Sequence, residues 1–364
     1  MIKLKGTFKS KKCRFHPLKE LNIRLNIYKN AFYLRIDLRI SFCYYVDLYI
    51  AEKATIIDKP TERSSHIHPT IRGGGIIFPI AIITWFVIFG WSQPYSVIGL
   101  LIISLISFID DIKSQSGVLR LVVHISAIGL LFYEADIYTM HWYLLLAAFL
   151  LTIGWLNAFN FMDGINSITA FYSLVLLGTF SLLNNADTLL SPFFNEVDFS
   201  KWEPFFPGGL VGALFISVLI FTFYNARGKA RIFAGDVGSI SMAYMQSWMM
   251  ISLMIATKQA YWIILFSVYG IDTIVTILVR LFQGENIFKS HRKHLYQLLA
   301  NEKKWSHISV AVTFAAIQMF INLVTIYLVF TNHMNLGTSF LIMLCMSLVY
   351  IFVRINTIGN LTKS

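Results

Sequence analysis

Two aspartates, Asp110 and Asp111, stand side by side where an apolar run ends in FIDDIKSQSGVLR. Adjacent carboxylates repel, and a hard cation such as Mg²⁺ relieves that cost by taking oxygen ligands from them and from a substrate phosphate. Asp pairs also end helices without any metal, so the pair alone is a moderate signal. A second segment, LNAFNFMDGIN, places Asn157, Asn160, Asp163 and Asn166 at three-residue spacing, which on a helix aims one carboxylate and three amides at one place. Amides both donate and accept, which suits a nucleobase or a sugar; lining an aqueous vestibule is the plainer use. A third segment, ARIFAGDVGS, sets Asp236 between Gly235 and Gly238, where a ligand can approach closely, with Phe233 three residues earlier able to stack on a base.

Two further clusters are basic. In DKPTERSSHIHPTIRGGG, residues 58–75, Lys59, Arg63, His66 and Arg72 could hold phosphate oxygens, and Gly73, Gly74 and Gly75 would let backbone N–H groups reach an anion. Its prolines and glycines make it a loop, and a solvated basic loop is the competing reading. In SHRKHLYQLLANE, His291, His294 and Gln297 gather; two histidines with no nearby third ligand make a weak zinc site. Asp272 differs, because it lies near the middle of an apolar run, where a carboxylate is either functional or paired. It is assigned to interhelical structure, with the site as the alternative. Arg280 is eight residues on, roughly 12 Å along a helix, too far for a local pair. His124 and His141 receive no role.

The elements that must position these groups are membrane spans. Of 364 residues, 56% are hydrophobic, 15% aromatic and only 13% charged, and the mean hydropathy is +0.64, against roughly 25% charged in soluble domains. Apolar runs recur at 73–91, 94–109, 119–133, 142–159, 168–183, 208–224, 240–255, 261–282, 308–330 and 338–353. The fold expected is all-α: a polytopic integral membrane protein with about ten or eleven transmembrane helices, since an open sheet would leave backbone groups unpaired in hydrocarbon. Lys and Arg collect in alternate loops and in the tail, whereas the longest opposite loop, 184–206, has Lys201 against Asp187, Glu196, Asp198 and Glu203. Positive charge stays inside, so the polar clusters are expected on the cytoplasmic face.

The net charge of +11 points elsewhere at first, to nucleic acid, but residues 1–30 alone hold nine cations against one acid. The rest of the chain keeps the small positive balance usual for a membrane protein, and no nucleic-acid partner is expected. Segment 30–52 contains Arg35, Asp37, Arg39 and Asp47. Insertion costs roughly 2.5–3.5 kcal/mol for each central Arg or Asp, so it is a poor span. It is read as an amphipathic surface segment or, preferably, as a start region altered by frameshift or mis-assigned initiation. Cys13, Cys43 and Cys345 show no CxxC spacing, and no removable signal is evident near the start.

Taken in order, DKPTERSSH with PTIRGGG, the DD pair, NAFNFMDGIN, FAGDVGS and HRKHLYQ resemble the polyprenyl-phosphate N-acetylhexosamine-1-phosphate transferase family of bacterial membranes (glycosyltransferase family 4). Its relatives initiate enterobacterial common antigen and O-antigen and, more distantly, make lipid I. The resemblance covers about 49–302. The HRKHLYQ form looks most like the branch that starts capsule and O-antigen chains. The chain departs at Asn166, where the family often has a second aspartate, and at Ile71, where it usually has proline. The division implied is an atypical basic N-terminal segment, 1–48, and a polytopic transferase domain, 49–364, in the bacterial inner (cytoplasmic) membrane.

The resemblance implies transfer of N-acetylhexosamine-1-phosphate, or a 6-deoxy derivative, from a UDP-sugar to undecaprenyl phosphate, releasing UMP and starting a lipid-linked cell-surface glycan. Mg²⁺ is the expected cofactor, with Mn²⁺ as a substitute, and a homodimer is an allowed assembly. Asp236 is expected to ligate the metal, with Asp110 and Asp111 holding it or positioning the lipid phosphate. Asn157, Asn160, Asp163, Asn166 and Phe233 would face the nucleotide. His291, His294, Arg63, His66 and Arg72 would hold phosphates, with Lys59 and Gln297 beside them. A polytopic transporter or lipid flippase is the alternative, opposed by the lack of an internal repeat and by polar residues gathered at one face instead of the midplane. A non-catalytic relative is a third reading.

Overall fold

The computed structural model describes residues 57–58, 70–199, 202–287 and 291–359, so the basic segment 1–48 lies outside the described residues. Each apolar run becomes a helix: α1 (Ile77–Ile88), α2 (Pro94–Ile112), α3 (Gly117–Glu134), α4 (Trp142–Met162), α5 (Ile168–Asn184), α6 (Leu210–Asn225), α7 (Gly235–Thr257), α8 (Ser267–Phe282), α9 (His307–Phe330) and α10 (Leu336–Gly359). A 3₁₀ stretch, Ala260–Phe266, leads into α8. Among the described residues seven helical stretches are long and apolar enough to cross a membrane, and those holding α1, α5 and α6 are apolar but shorter. The protein is an all-α polytopic membrane protein.

Local chemistry sets the helix boundaries. Pro94 opens α2 at a position whose N–H would have no helical partner in any case. Ser116 caps α3 by accepting the Leu119 N–H, and Ser306 caps α9 by accepting that of Ser309. Ahead of α1, Ile57–Asp58 pairs antiparallel with Thr70–Ile71, and Ile71 also bridges to Ile232 on the approach to α7.

α7 is the buried centre of the bundle and packs against α2 and α4. α10 lies at the edge and turns Phe340, Leu348 and Phe352 outward. Lipid is as apolar as leucine, so association of such helices needs close packing and internal polar contacts. Both are present. The Trp155 indole donates to Gln246 at 3.1 Å, Tyr172 donates to Gln318 at 2.7 Å, and Asn322 donates to Thr179 at 2.8 Å. The Tyr172 and Tyr269 rings stack at 3.6 Å between α5 and α8. This framework brings the ends of α2, α4 and α8 and the start of α7 to one face of the bundle, where the polar motifs lie.

Candidate functional site

The start of α7 is fixed by groups from two other segments. Its first free N–H groups, on Asp236 and Val237, donate to Asp111 Oδ1 and Oδ2 at 2.9 and 3.0 Å, so the end of one helix caps the beginning of another. Arg72 bridges the assembly: its Nε lies 2.7 Å from Asp111 and its Nη2 3.2 Å from Asp236. The Asp111 side chain is fully buried by these contacts. Gly235 enters the helix at φ +70°, and a Cβ there would lie 2.5 Å from the Asp111 carboxylate, so only glycine fits.

The aspartate pair is thereby divided. Asp111 turns into the protein with both oxygens engaged, and Asp110 turns to a cavity of about 680 Å³, a volume ordinary for a small-molecule site. Arg72, expected at a phosphate, instead forms ion pairs with two carboxylates. The three glycines also serve packing. Gly74 and Gly75 donate their N–H groups to the Phe233 and Ala234 carbonyls at 2.9 and 3.0 Å. A Cβ on Gly75 would lie 2.2 Å from the Gly238 Cα, so loop and helix meet backbone to backbone. Those amides are therefore committed inside the fold and not offered to an anion. Phe233 belongs to the same seam, its N–H bound to the Ile71 carbonyl at 2.8 Å, and it is not part of the cavity wall.

The cavity wall is made by Asp110, Asn157, Asn160 and Asp236 on one side. His291, His294 and Gln297 line it from the loop after α8. Asp110 accepts the Gln115 N–H and pairs with Arg120 at 3.0 Å. Asn160 donates to Asp236 at 3.2 Å and to Ser239 at 2.9 Å. The carboxyls of Asp110 and Asp236 are direct neighbours. Two adjacent carboxylates on a cavity wall are a suitable seat for a hard divalent cation. Among the described residues no group of three or more His, Cys, Asp or Glu is arranged around a metal position. Mg²⁺ commonly takes one or two carboxylates, completing its shell with water and substrate phosphate, so this pair fits it.

The expected shared helical face of Asn157, Asn160, Asp163 and Asn166 holds only for the first two. α4 ends at Met162, so Asp163 and Asn166 lie beyond it in a turn. Asn157 faces the cavity while donating to the Ile153 carbonyl at 2.7 Å. Asn166 is buried and donates to the Arg227 carbonyl at 3.2 Å, tying two loops together. Asp163 accepts from the Thr169 hydroxyl. Burial, reinforced by the carboxylates of Asp236 and Asp111, pushes its carboxyl up to about 7 against the opposing effect of the Thr169 bond. Lys59, Arg63 and His66 lie outside the described residues.

His294 is held from behind. Asp272, fully buried in α8, lies 2.8 Å from its Nδ1. The same carboxylate accepts the Leu295 N–H at 3.1 Å and the Thr276 hydroxyl at 3.3 Å. Gln297 caps the short helix that follows by accepting the His294 N–H at 3.4 Å. His291 stacks on His294 with ring centroids 5.0 Å apart. Burial, with His294 and Arg280 adding to it, holds the His291 imidazole down at about 4, so it is neutral near pH 7. Asp272 thus contacts the site through His294 as well as linking elements. Arg280 pairs with Glu285 at 3.1 Å, not with Asp272.

Sequence reasoning passed over two cavity residues, Arg120 and His124. Arg120 follows Asp110 by ten residues across a turn, and no periodic signal joins them. His124 lies inside an apolar run on α3, where a lone histidine reads as core.

A membrane-embedded helical bundle with a carboxylate, amide and histidine cavity at one face is the class that fold and site define. Residues 94–254 match the family model described as Glycosyl transferase family 4. The chain is 30% identical over 191 residues to the phospho-N-acetylmuramoyl-pentapeptide-transferase of Bacillus subtilis (strain 168), covering 51% of each chain. It is 27% identical over 190 residues to that of Halalkalibacterium halodurans, covering 51% of this chain and 52% of the relative. It is also 24% identical over 278 residues to the probable undecaprenyl-phosphate N-acetylglucosaminyl 1-phosphate transferase of Bacillus subtilis (strain 168), covering 69% of this chain and 71% of the relative. The match thus spans about half the length of the pentapeptide transferases. The resemblance read from the five motifs is borne out by these matches, which make residues 94–254 similar to glycosyl transferase family 4.

Proposed function

We propose that the protein transfers a sugar-1-phosphate, an N-acetylhexosamine or its 6-deoxy derivative, from a UDP-sugar to undecaprenyl phosphate. UMP is released, and the lipid-linked product starts a cell-surface glycan of the capsule or O-antigen kind. The observation that carries this reading is the convergence of Asp110, Asp236, Asn160 and His294 on one cavity at the end of the bundle. An anionic water-soluble donor and a lipid acceptor must meet where the membrane ends, and a transporter would instead place its polar groups near the midplane. The loop cations support placing this site at the cytoplasmic face, in a bacterial inner membrane on the proposed function.

Phosphoryl transfer needs positioning and charge neutralisation more than covalent help. Asp110 and Asp236 would hold Mg²⁺, which supplies neutralisation of the diphosphate when bound. Asn160 steadies Asp236, and Asn157 offers an amide to the nucleoside or sugar. His291, neutral, and His294 line the side where phosphate oxygens would lie. Asp111 and Arg72 act one layer behind by fixing the start of α7.

The test is UMP release by detergent-solubilised protein given undecaprenyl phosphate, Mg²⁺ and a panel of UDP-sugars. Turnover that EDTA abolishes and Mg²⁺ restores is expected. No UMP with any UDP-N-acetylhexosamine, or turnover indifferent to EDTA, would overturn the reading.

A further inference from the structure

His294 presents an unusual pair of environments. It is 2% exposed and lines the cavity, its Nδ1 lies 2.8 Å from Asp272, and its Nε2 has no hydrogen-bond partner among the described residues. A buried polar nitrogen without a partner is costly, so it points to a ligand atom that completes it. Asp272 is fully buried near the middle of α8; it accepts the Leu295 N–H and the Thr276 hydroxyl and lies against His294 Nδ1. The Leu295 N–H and the Thr276 hydroxyl already use this carboxylate as an acceptor, and the same role toward the imidazole puts the proton of the His294 contact on Nδ1.

A carboxyl group at such depth also calls for a cationic neighbour. One comes from α10. Arg354, 4% exposed, donates through Nη1 to the Thr276 hydroxyl at 3.0 Å and to the Tyr350 hydroxyl at 3.1 Å. Arg354, Thr276, Asp272 and His294 thus form one buried chain ending at the cavity.

We propose that Asp272 is a positioning residue of the transferase site: balanced by Arg354 through Thr276, it holds the His294 imidazole so that Nε2 is presented to a phosphate oxygen of the reactants. When Nε2 carries a proton, Asp272 stabilises the imidazolium and the phosphate oxygen accepts the second N–H. This rests on the reading of the cavity as a phosphoryl-transfer site, and it adds a residue outside the five motifs.

Asp272→Asn tests it with almost no change of shape. The Leu295 N–H demands the amide oxygen, so the amide nitrogen must face His294 Nδ1 and donate to it. The imidazole proton then moves to Nε2 and a stabilised imidazolium is lost. A fall of roughly 10–100-fold in kcat/KM is expected for loss of an orienting partner. In a His294→Gln background the same substitution should change kcat/KM by less than about threefold, because its effect passes through His294. Equal losses in both backgrounds would show a merely structural role and overturn the proposal. A second measurement needs no Asp272 variant. Nitrogen-15 spectra of histidine-labelled wild type, with the His294 signal located by His294→Gln, should show the proton on Nδ1. A proton on Nε2 alone would overturn the proposal whether or not UMP is released. Absent UMP release with an Nδ1 proton would instead sink the transferase reading and leave the Asp272–His294 contact supported.

Discussion

Asp111→Asn separates the two neighbouring carboxylates. The amide fills the same volume, so no void forms, but it keeps one oxygen where Asp111 now accepts the Asp236 and Val237 N–H groups and the Arg72 guanidinium. A hydrogen bond to a charged acceptor contributes about 1.5–3 kcal/mol. A carboxylate at a partly buried helix start adds up to about 2 kcal/mol through the dipole. The Arg72 pair adds under about 1 kcal/mol, because its guanidinium is 36% exposed. These contributions share atoms and do not add in full, so a loss of about 3 kcal/mol is expected. Thermal unfolding of the purified protein in detergent, followed by tryptophan fluorescence, should fall by several degrees. The Mg²⁺ concentration for half-maximal turnover should stay within about twofold of wild type, since Asp111 faces away from the cavity. A variant that melts like wild type yet needs far more Mg²⁺ would refute the division of the pair.

Asp110→Asn should do the reverse, lowering turnover on the order of 100-fold with little change in melting. That loss should persist at alkaline pH: the acceptor phosphate has its second pKa near 6 and is already largely dianionic, so removing a proton contributes little. Recovery of near wild-type rate at high pH would make Asp110 a base. For Asp163, the folded carboxyl sits at about 7, above its ordinary 3.8. Its contribution to stability is complete below about pH 4 and is lost as pH rises through 7. Asp163→Asn should therefore flatten the decline in melting temperature between pH 5 and 8, and an unchanged slope would disprove the burial of that charge.

Much of this was legible from residues alone. The ten apolar runs became α1 to α10 because continuous hydrophobicity has few other solutions in lipid. Asp110, Asn160, Asp236 and His294 met because their loops lie at one face. Which of two adjacent aspartates faces the cavity was not legible. Neighbours on a helix point about 100° apart, and only the position of α7 decides between them. The commitment of the Gly74 and Gly75 amides was not legible for a related reason, since a glycine that admits a ligand and one that admits another backbone look the same in one dimension. Asp272 stood out as a carboxylate in an apolar run, but its partners lie 22 and, through Thr276, 82 residues away. No local period connects them.

The family match and the cavity do not share borders. Residues 94–254 contain Asp110, Asn160 and Asp236, whereas Asp272, His294 and Arg354 all lie downstream. The pocket thus draws on two stretches of the chain, carboxylates and an amide within the matched stretch and a histidine with its anchor in the final third. A protein matched over residues 94–254 alone can therefore carry the first stretch without the second. Residues 272, 276, 294 and 354 are therefore the positions to inspect when deciding whether such a relative retains an intact pocket.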